Sequence, residues 1–105
     1  MALRIALAQL NLLVGDIEGN AGRIMTAAER ARDEQQADLI VFPELTLTGY
    51  PPEDLLLRHE LVMRVEAALD TLCRSISGIT AVVGYPKQRE DGIYNTAGVI
   101  RDGRL

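Results

Sequence analysis

A carboxylate stands at the end of an apolar run. Leu39-Ile40-Val41-Phe42 leads directly into Pro43 and Glu44, and Gly49-Tyr50-Pro51-Pro52 follows within a few residues. An unbroken apolar run bounded by such breakers reads as a buried strand. A carboxylate at the end of such a strand is poorly solvated unless something uses it. Burial also raises the proton affinity of a carboxyl group, which is what a general base working near neutral pH needs. The plainer alternative puts Glu44 in an exposed loop or in support of a nearby helix, since Glu is rarely fully buried. Residue type alone leaves both open.

Other chemistry-bearing side chains are few. Cys73 is the only cysteine and His59 the only histidine, so no internal disulfide and no Cys- or His-based metal site can be argued. Cys73 lies beside Leu72 and near Leu69 and Ile76, the setting of a small, inert core hydrophobe with no activating base. His59 is expected at the surface. Glu53 and Asp54 suit a helix N-terminus, where negative charge is favoured. Lys87 sits in Pro86-Lys87-Gln88-Arg89-Glu90-Asp91-Gly92, a polar stretch expected to be a solvated loop between two strands. Tyr50 is either a turn aromatic packed beside Pro51 and Pro52, or a hydroxyl near the pocket that Glu44 would serve.

The elements that must position these groups can be read from periodicity. Arg4 to Leu12 is short and aliphatic, as expected of a strand buried on both faces. Asn20 is a good N-cap for a helix that places Ala21, Ile24, Met25, Ala28 and Ala31 on one face. Arg30, Arg32, Asp33 and Glu34 fall elsewhere on it and should be solvated. Asp54 can cap a longer helix carrying Leu57, Leu61, Val65, Leu69, Leu72 and Ile76, with Gly78 closing it. Strands are expected near residues 3–12, 37–43, 79–85 and 93–101, and helices near 20–36 and 54–77, both on one face of the sheet. Such alternation means α/β. Asp102-Gly103 is a hairpin-type pair with only Arg104 and Leu105 after it, which suits either a domain cut short before its partner strand or a polar tail at a domain's end.

Composition narrows the classes further. A chain of 105 residues is one domain at most, and 48% apolar content is ample for a core. The net charge is −4 and the 11 basic residues are scattered, which gives no nucleic-acid footprint. Apolar stretches are only a few residues long, so no membrane span is expected. Without the pattern of a signal peptide after Met1-Ala2-Leu3-Arg4, a cytoplasmic location is expected.

Phe42-Pro43-Glu44-Leu45, followed by Thr48-Gly49-Tyr50-Pro51-Pro52-Glu53-Asp54-Leu55-Leu56-Leu57-Arg58, closely resembles the carbon-nitrogen hydrolase (nitrilase) superfamily. The Gly49-to-Asp54 string resembles its glutamine-dependent NAD synthetase branch. So do Ile5-Ala6-Leu7-Ala8-Gln9-Leu10-Asn11, Val14-Gly15-Asp16, Gly19-Asn20 and Val83-Gly84-Tyr85-Pro86.

The resemblance implies an α/β, nitrilase-like α-β-β-α sandwich, of which residues 1–105 are the N-terminal part. It also implies a Glu-Lys-Cys triad that cleaves an amide, with Glu44 as proton acceptor and Tyr50 as a substrate-binding candidate. The family's Lys and Cys come later than this chain extends, so Lys87 and Cys73 match neither. Glutamine is the implied substrate. The implied partner is a C-terminal synthetase domain using ATP and Mg²⁺ on deamido-NAD, in a homo-oligomeric parent protein. No cofactor or metal is implied for residues 1–105 themselves, which alone should be inactive. Two alternatives remain: part of a stand-alone amidase or nitrilase-like hydrolase, or a non-catalytic half-domain.

Overall fold

The computed structural model describes residues 2–49 and 59–105, with only the backbone of His59 included. Tyr50, Glu53, Asp54 and the helix start expected near Asp54 lie outside the described residues. The elements run β1 (Ile5–Leu7), α1 (Ile17–Asp33), β2 (Leu39–Val41), α2 (His59–Ser75), β3 (Thr80–Arg89) and β4 (Gly92–Ile100). One sheet has the order β1-β2-β3-β4. Its first three strands are parallel, and β4 returns antiparallel to β3.

This order explains the helix placement. Two successive crossovers that step the same way across a sheet put both helices on one face, because such connections are right-handed. Both helices accordingly meet the same side of the sheet. Ile17, Ala21, Ile24, Ala28 and Ala31 of α1 and Leu61, Val65, Leu69 and Leu72 of α2 form one core with Ile40, Ala81, Val83, Tyr85 and Ile100. Burying a Leu or Ile side chain such as Leu72 or Ile24 contributes about 1.5–3 kcal/mol. The expected α1 face is thus the buried one, with Met25 partly buried at its side, and so is the α2 stripe from Leu61 to Ile76; Leu57 lies outside the described residues.

Among the described residues, no helix or strand packs on the other sheet face. Ile5 is 52% exposed, Leu7 77% and Val99 51%. The expectation that β1 is buried on both faces therefore fails. Its strand is the three residues Ile5–Leu7 rather than the ten expected, paired along the whole of the equally short β2, and Ala6 is the strand residue that packs on the core.

Three further boundaries differ. Asp16, not Asn20, caps α1, and its carboxylate accepts from Gly19 N at 3.2 Å. Lys87 lies inside β3, paired in register with Tyr94, because the hairpin turns later, at Glu90-Asp91. The helix α2 ends at Ser75, and Gly78 follows as part of the passage into β3 rather than directly at the helix end. Asp102-Gly103 does form the expected tight turn. Arg101 and Arg104 exchange backbone hydrogen bonds of 2.9 and 3.0 Å across it, with φ of +53° and +77° at its two central residues.

Candidate functional site

Ligands of open α/β sheets bind beyond the carboxyl ends of the strands. There the chain leaves β2 through buried Phe42 and then Pro43, and turns at Glu44–Thr48. Leu45 takes φ +53°, a conformation that costs a non-glycine residue roughly 1–2 kcal/mol. Several contacts hold the turn there. The Leu45 side chain is buried, Leu47 N donates to Gly84 O at 3.2 Å, and the Thr46 hydroxyl donates to Pro43 O. Gly84 makes the approach possible, since a Cβ on it would lie 2.5 Å from Leu45 N and 2.9 Å from Pro43 O.

The second support comes from α1. Asn20 is fully buried, and its amide donates to Leu13 O at 2.8 Å and Leu47 O at 3.0 Å, while its oxygen accepts from Leu13 N at 3.1 Å. One side chain thus ties the loop before α1 to the turn after β2. Gly15 N adds a bond to Thr48 O at 2.9 Å, and Gly49 (φ +77°) passes so near Val14 that a Cβ would meet its Cα at 2.9 Å. From α2, Arg64 reaches Gly15 O at 3.3 Å and the Glu18 carboxylate at 2.6 Å. That hydrogen bond, aided by one from the backbone, lowers the Glu18 pKa to about 2.

Glu44 itself is exposed, the plainer of the two readings that its residue type left open. The turn lifts it out of the strand, and the sheet face away from the helices leaves it open. Its Oε1 accepts a hydrogen bond from the side-chain amide of Asn95 on β4. Asn95 pairs in register with Pro86, two residues along from Gly84 opposite Ala97. Side chains alternate along a strand, so Asn95, Ala97 and Val99 share the face away from the helices. Glu44 therefore points to the sheet's uncovered side. It lines a depression of about 280 Å³ together with Leu10, Asn11, Leu12 and Pro43. A larger depression, about 460 Å³, lies at the other end of the parallel strands between Leu3, Asp38, Gly78 and Arg101, and none of the candidate residues lines it.

Cys73 and Lys87 do not gather at Glu44. Cys73 is half-buried near the end of α2, and burial, then the Asp70 carboxylate, push its thiol pKa up. A thiol held in its neutral form is a poor nucleophile. Lys87 extends the hairpin beside Val62, Val65, Glu66 and Leu69 of α2, on a different wall from Glu44. Tyr50 lies outside the described residues. Among those described, no group of three His, Cys, Asp or Glu side chains could hold a metal ion, and no helix is long and apolar enough to cross a membrane. Of these residues, Asn95 is not singled out by the sequence, Gly84 stands there only within the Val83-to-Pro86 string, and Asn20 has the residue type of a cap. Tyr94-Asn95-Thr96 carries no local signal for a contact with a residue 51 positions away.

Residues 4–105 match the carbon-nitrogen hydrolase family. The chain is 47% identical over 103 residues to the glutamine-dependent NAD(+) synthetase of Xylella fastidiosa, covering 98% of this chain and 19% of that protein. It superimposes on the glutamine-dependent NAD+ synthetase of Acinetobacter baumannii with a TM-score of 0.91 and 42% identity, over 98% of this chain and 19% of that one. The amidase of Nesterenkonia sp. AN1 gives a TM-score of 0.80 at 30% identity, over 98% of this chain and 41% of the amidase. That amidase structure carries a glutamate-to-glutamine change and has acrylamide added at its active site cysteine. The chain thus spans about a fifth of the length of the synthetases it matches.

Proposed function

The chain belongs to the carbon-nitrogen hydrolase family, and from that membership we propose that it is part of the glutaminase region of a longer glutamine-dependent NAD synthetase. The observation that carries this reading is its likeness to the two synthetases compared above, 47% and 42% identical and with a TM-score of 0.91 for the second, against 30% and 0.80 for the amidase. In this reading residues 1–105 supply the base, and the cation and nucleophile come from chain beyond them. The longer protein works in the cytoplasm as a homo-oligomer.

Glu44 accepts the proton of a cysteine thiol, and the thiolate sulfur attacks the side-chain carbonyl carbon of glutamine. A lysine ammonium balances the negative charge that develops on the carbonyl oxygen. Glu44 then returns the proton to the departing nitrogen, so ammonia leaves and a thioester remains. Water, deprotonated by the same carboxylate, cleaves the thioester to glutamate and restores the thiol. Tyr50, six residues after Glu44, is proposed to contact the glutamine. Ammonia passes to a synthetase domain that amidates deamido-NAD. ATP and Mg²⁺ are assigned to that domain; among the described residues no group of three His, Cys, Asp or Glu side chains could hold the metal.

The test is Glu44→Gln in the full-length protein, assayed with glutamine and separately with ammonium salt. Loss of a positioned base costs about 10²–10⁴-fold, so glutamine-dependent NAD formation should nearly vanish while ammonia-dependent formation survives. Retained glutamine-dependent turnover in a well-folded variant would sink the assignment of Glu44.

A further inference from the structure

The geometry points to Asn95 as the positioning residue for Glu44, a role that rests on the glutaminase reading above. A glutamate side chain has three rotatable bonds, and this one stands exposed on a turn. Left free, its carboxylate would sample many directions, while proton transfer needs it within hydrogen-bond reach of the thiol. Among the described residues, the Asn95 amide is the one side chain that donates to it.

The donor is mounted on a stiff support. β3 and β4 pair without interruption from Ala81↔Ile100 to Arg89↔Gly92, well past the last β2 pairing at Val41↔Val82. This hairpin forms a wall beside the turn, and Asn95 projects from it on the same uncovered face as Glu44. The chemistry of the amide also fits the task. It donates without titrating, so it neither competes for the proton nor neutralises the base as a lysine or arginine would. It engages Oε1, and among the described residues no side chain donates to Oε2, the oxygen left to receive and return a proton.

The experiment is a double-mutant cycle in the full-length protein, with glutamine kinetics, ammonia-dependent NAD formation and melting temperature measured for each variant. Asn95→Ala should lower kcat for glutamine by up to about a hundredfold, the scale of a misplaced catalytic group, with KM within about twofold. Melting temperature and ammonia-dependent synthesis should hold. Asn95→Asp, the same size but without a donor and with a like charge facing Glu44, should lose at least as much. In a Glu44→Gln background neither change should cost anything further, since a residue acting through Glu44 has nothing left to position.

Losses that persist undiminished in that background, or a KM rise that accounts for the whole effect, would overturn the positioning role. So would an unchanged kcat in both variants when Glu44→Gln alone abolishes turnover. If Glu44→Gln itself retains turnover, the glutaminase reading fails, and this inference fails with it.

Discussion

Gly84 in β3 and Leu45 in the turn after β2 approach until a Cβ on the glycine would sit 2.5 Å from the Leu45 nitrogen. The two residues are also joined through Leu47 N, which donates to Gly84 O. Backbone lies over backbone here, with no flexible side chain between them to yield. The direction in which Glu44 leaves the turn is therefore set by the absence of one methyl group on the neighbouring strand.

Gly84→Ala should displace the Pro43–Leu45 backbone. Overpacking of this kind costs about 1–3 kcal/mol. Urea denaturation should read that loss, and glutamine turnover in the full-length protein should fall with it while ammonia-dependent synthesis is retained. Unchanged stability and turnover would mean that the turn accommodates a methyl group and does not need this approach.

The Glu18–Arg64 pair should give a pH-dependent contribution to stability. The folded-state pKa of Glu18 is lowered from 4.5 to about 2, chiefly by the hydrogen bond from Arg64. A depressed carboxylate stabilises the fold fully above its unfolded value, and that contribution is lost as pH falls from about 4.5 through about 2. Glu18 is 68% exposed and Arg64 37%, so solvent screening reduces the effect to about 1 kcal/mol or less. Denaturation of wild type and Glu18→Gln should differ by that amount at pH 7 and converge near pH 2. A difference that stays constant down to pH 2 would contradict the pairing.

Cys73 should be dispensable for chemistry. Its thiol is held neutral by burial and by Asp70 on the same helix. In the full-length protein Cys73→Ser should leave glutamine hydrolysis unchanged, and the 105-residue chain alone should release no ammonia from glutamine, because it offers a base with no thiolate or oxyanion cation to work with. Ammonia release by the isolated chain, abolished by Cys73→Ser, would reverse this assignment.

Local pattern was enough for much of the molecule. The spacing of Ile24, Ala28 and Ala31, and of Leu61, Val65, Leu69 and Leu72, marks the buried helix faces, because helical periodicity is written in consecutive turns. The apolar run before Pro43 and the breakers after it locate the strand and the carboxylate at its end. Asp102-Gly103 announces its turn by residue type alone.

What the tertiary structure decided lies in contacts between distant residues. Asn20 has the composition of a cap, yet its amide binds Leu47 O, 27 positions away, and Asp16 caps the helix instead. Residue type leaves the exposure of Glu44 open, and the sheet, which carries both helices on one side, decides it. Asn95 reaches Glu44 across 51 residues only because the β3–β4 hairpin runs on past β2. Periodicity reports which face of an element is apolar. The element that faces it, and the side chain that meets the carboxylate, follow from sheet order and register, which arise only when the chain packs.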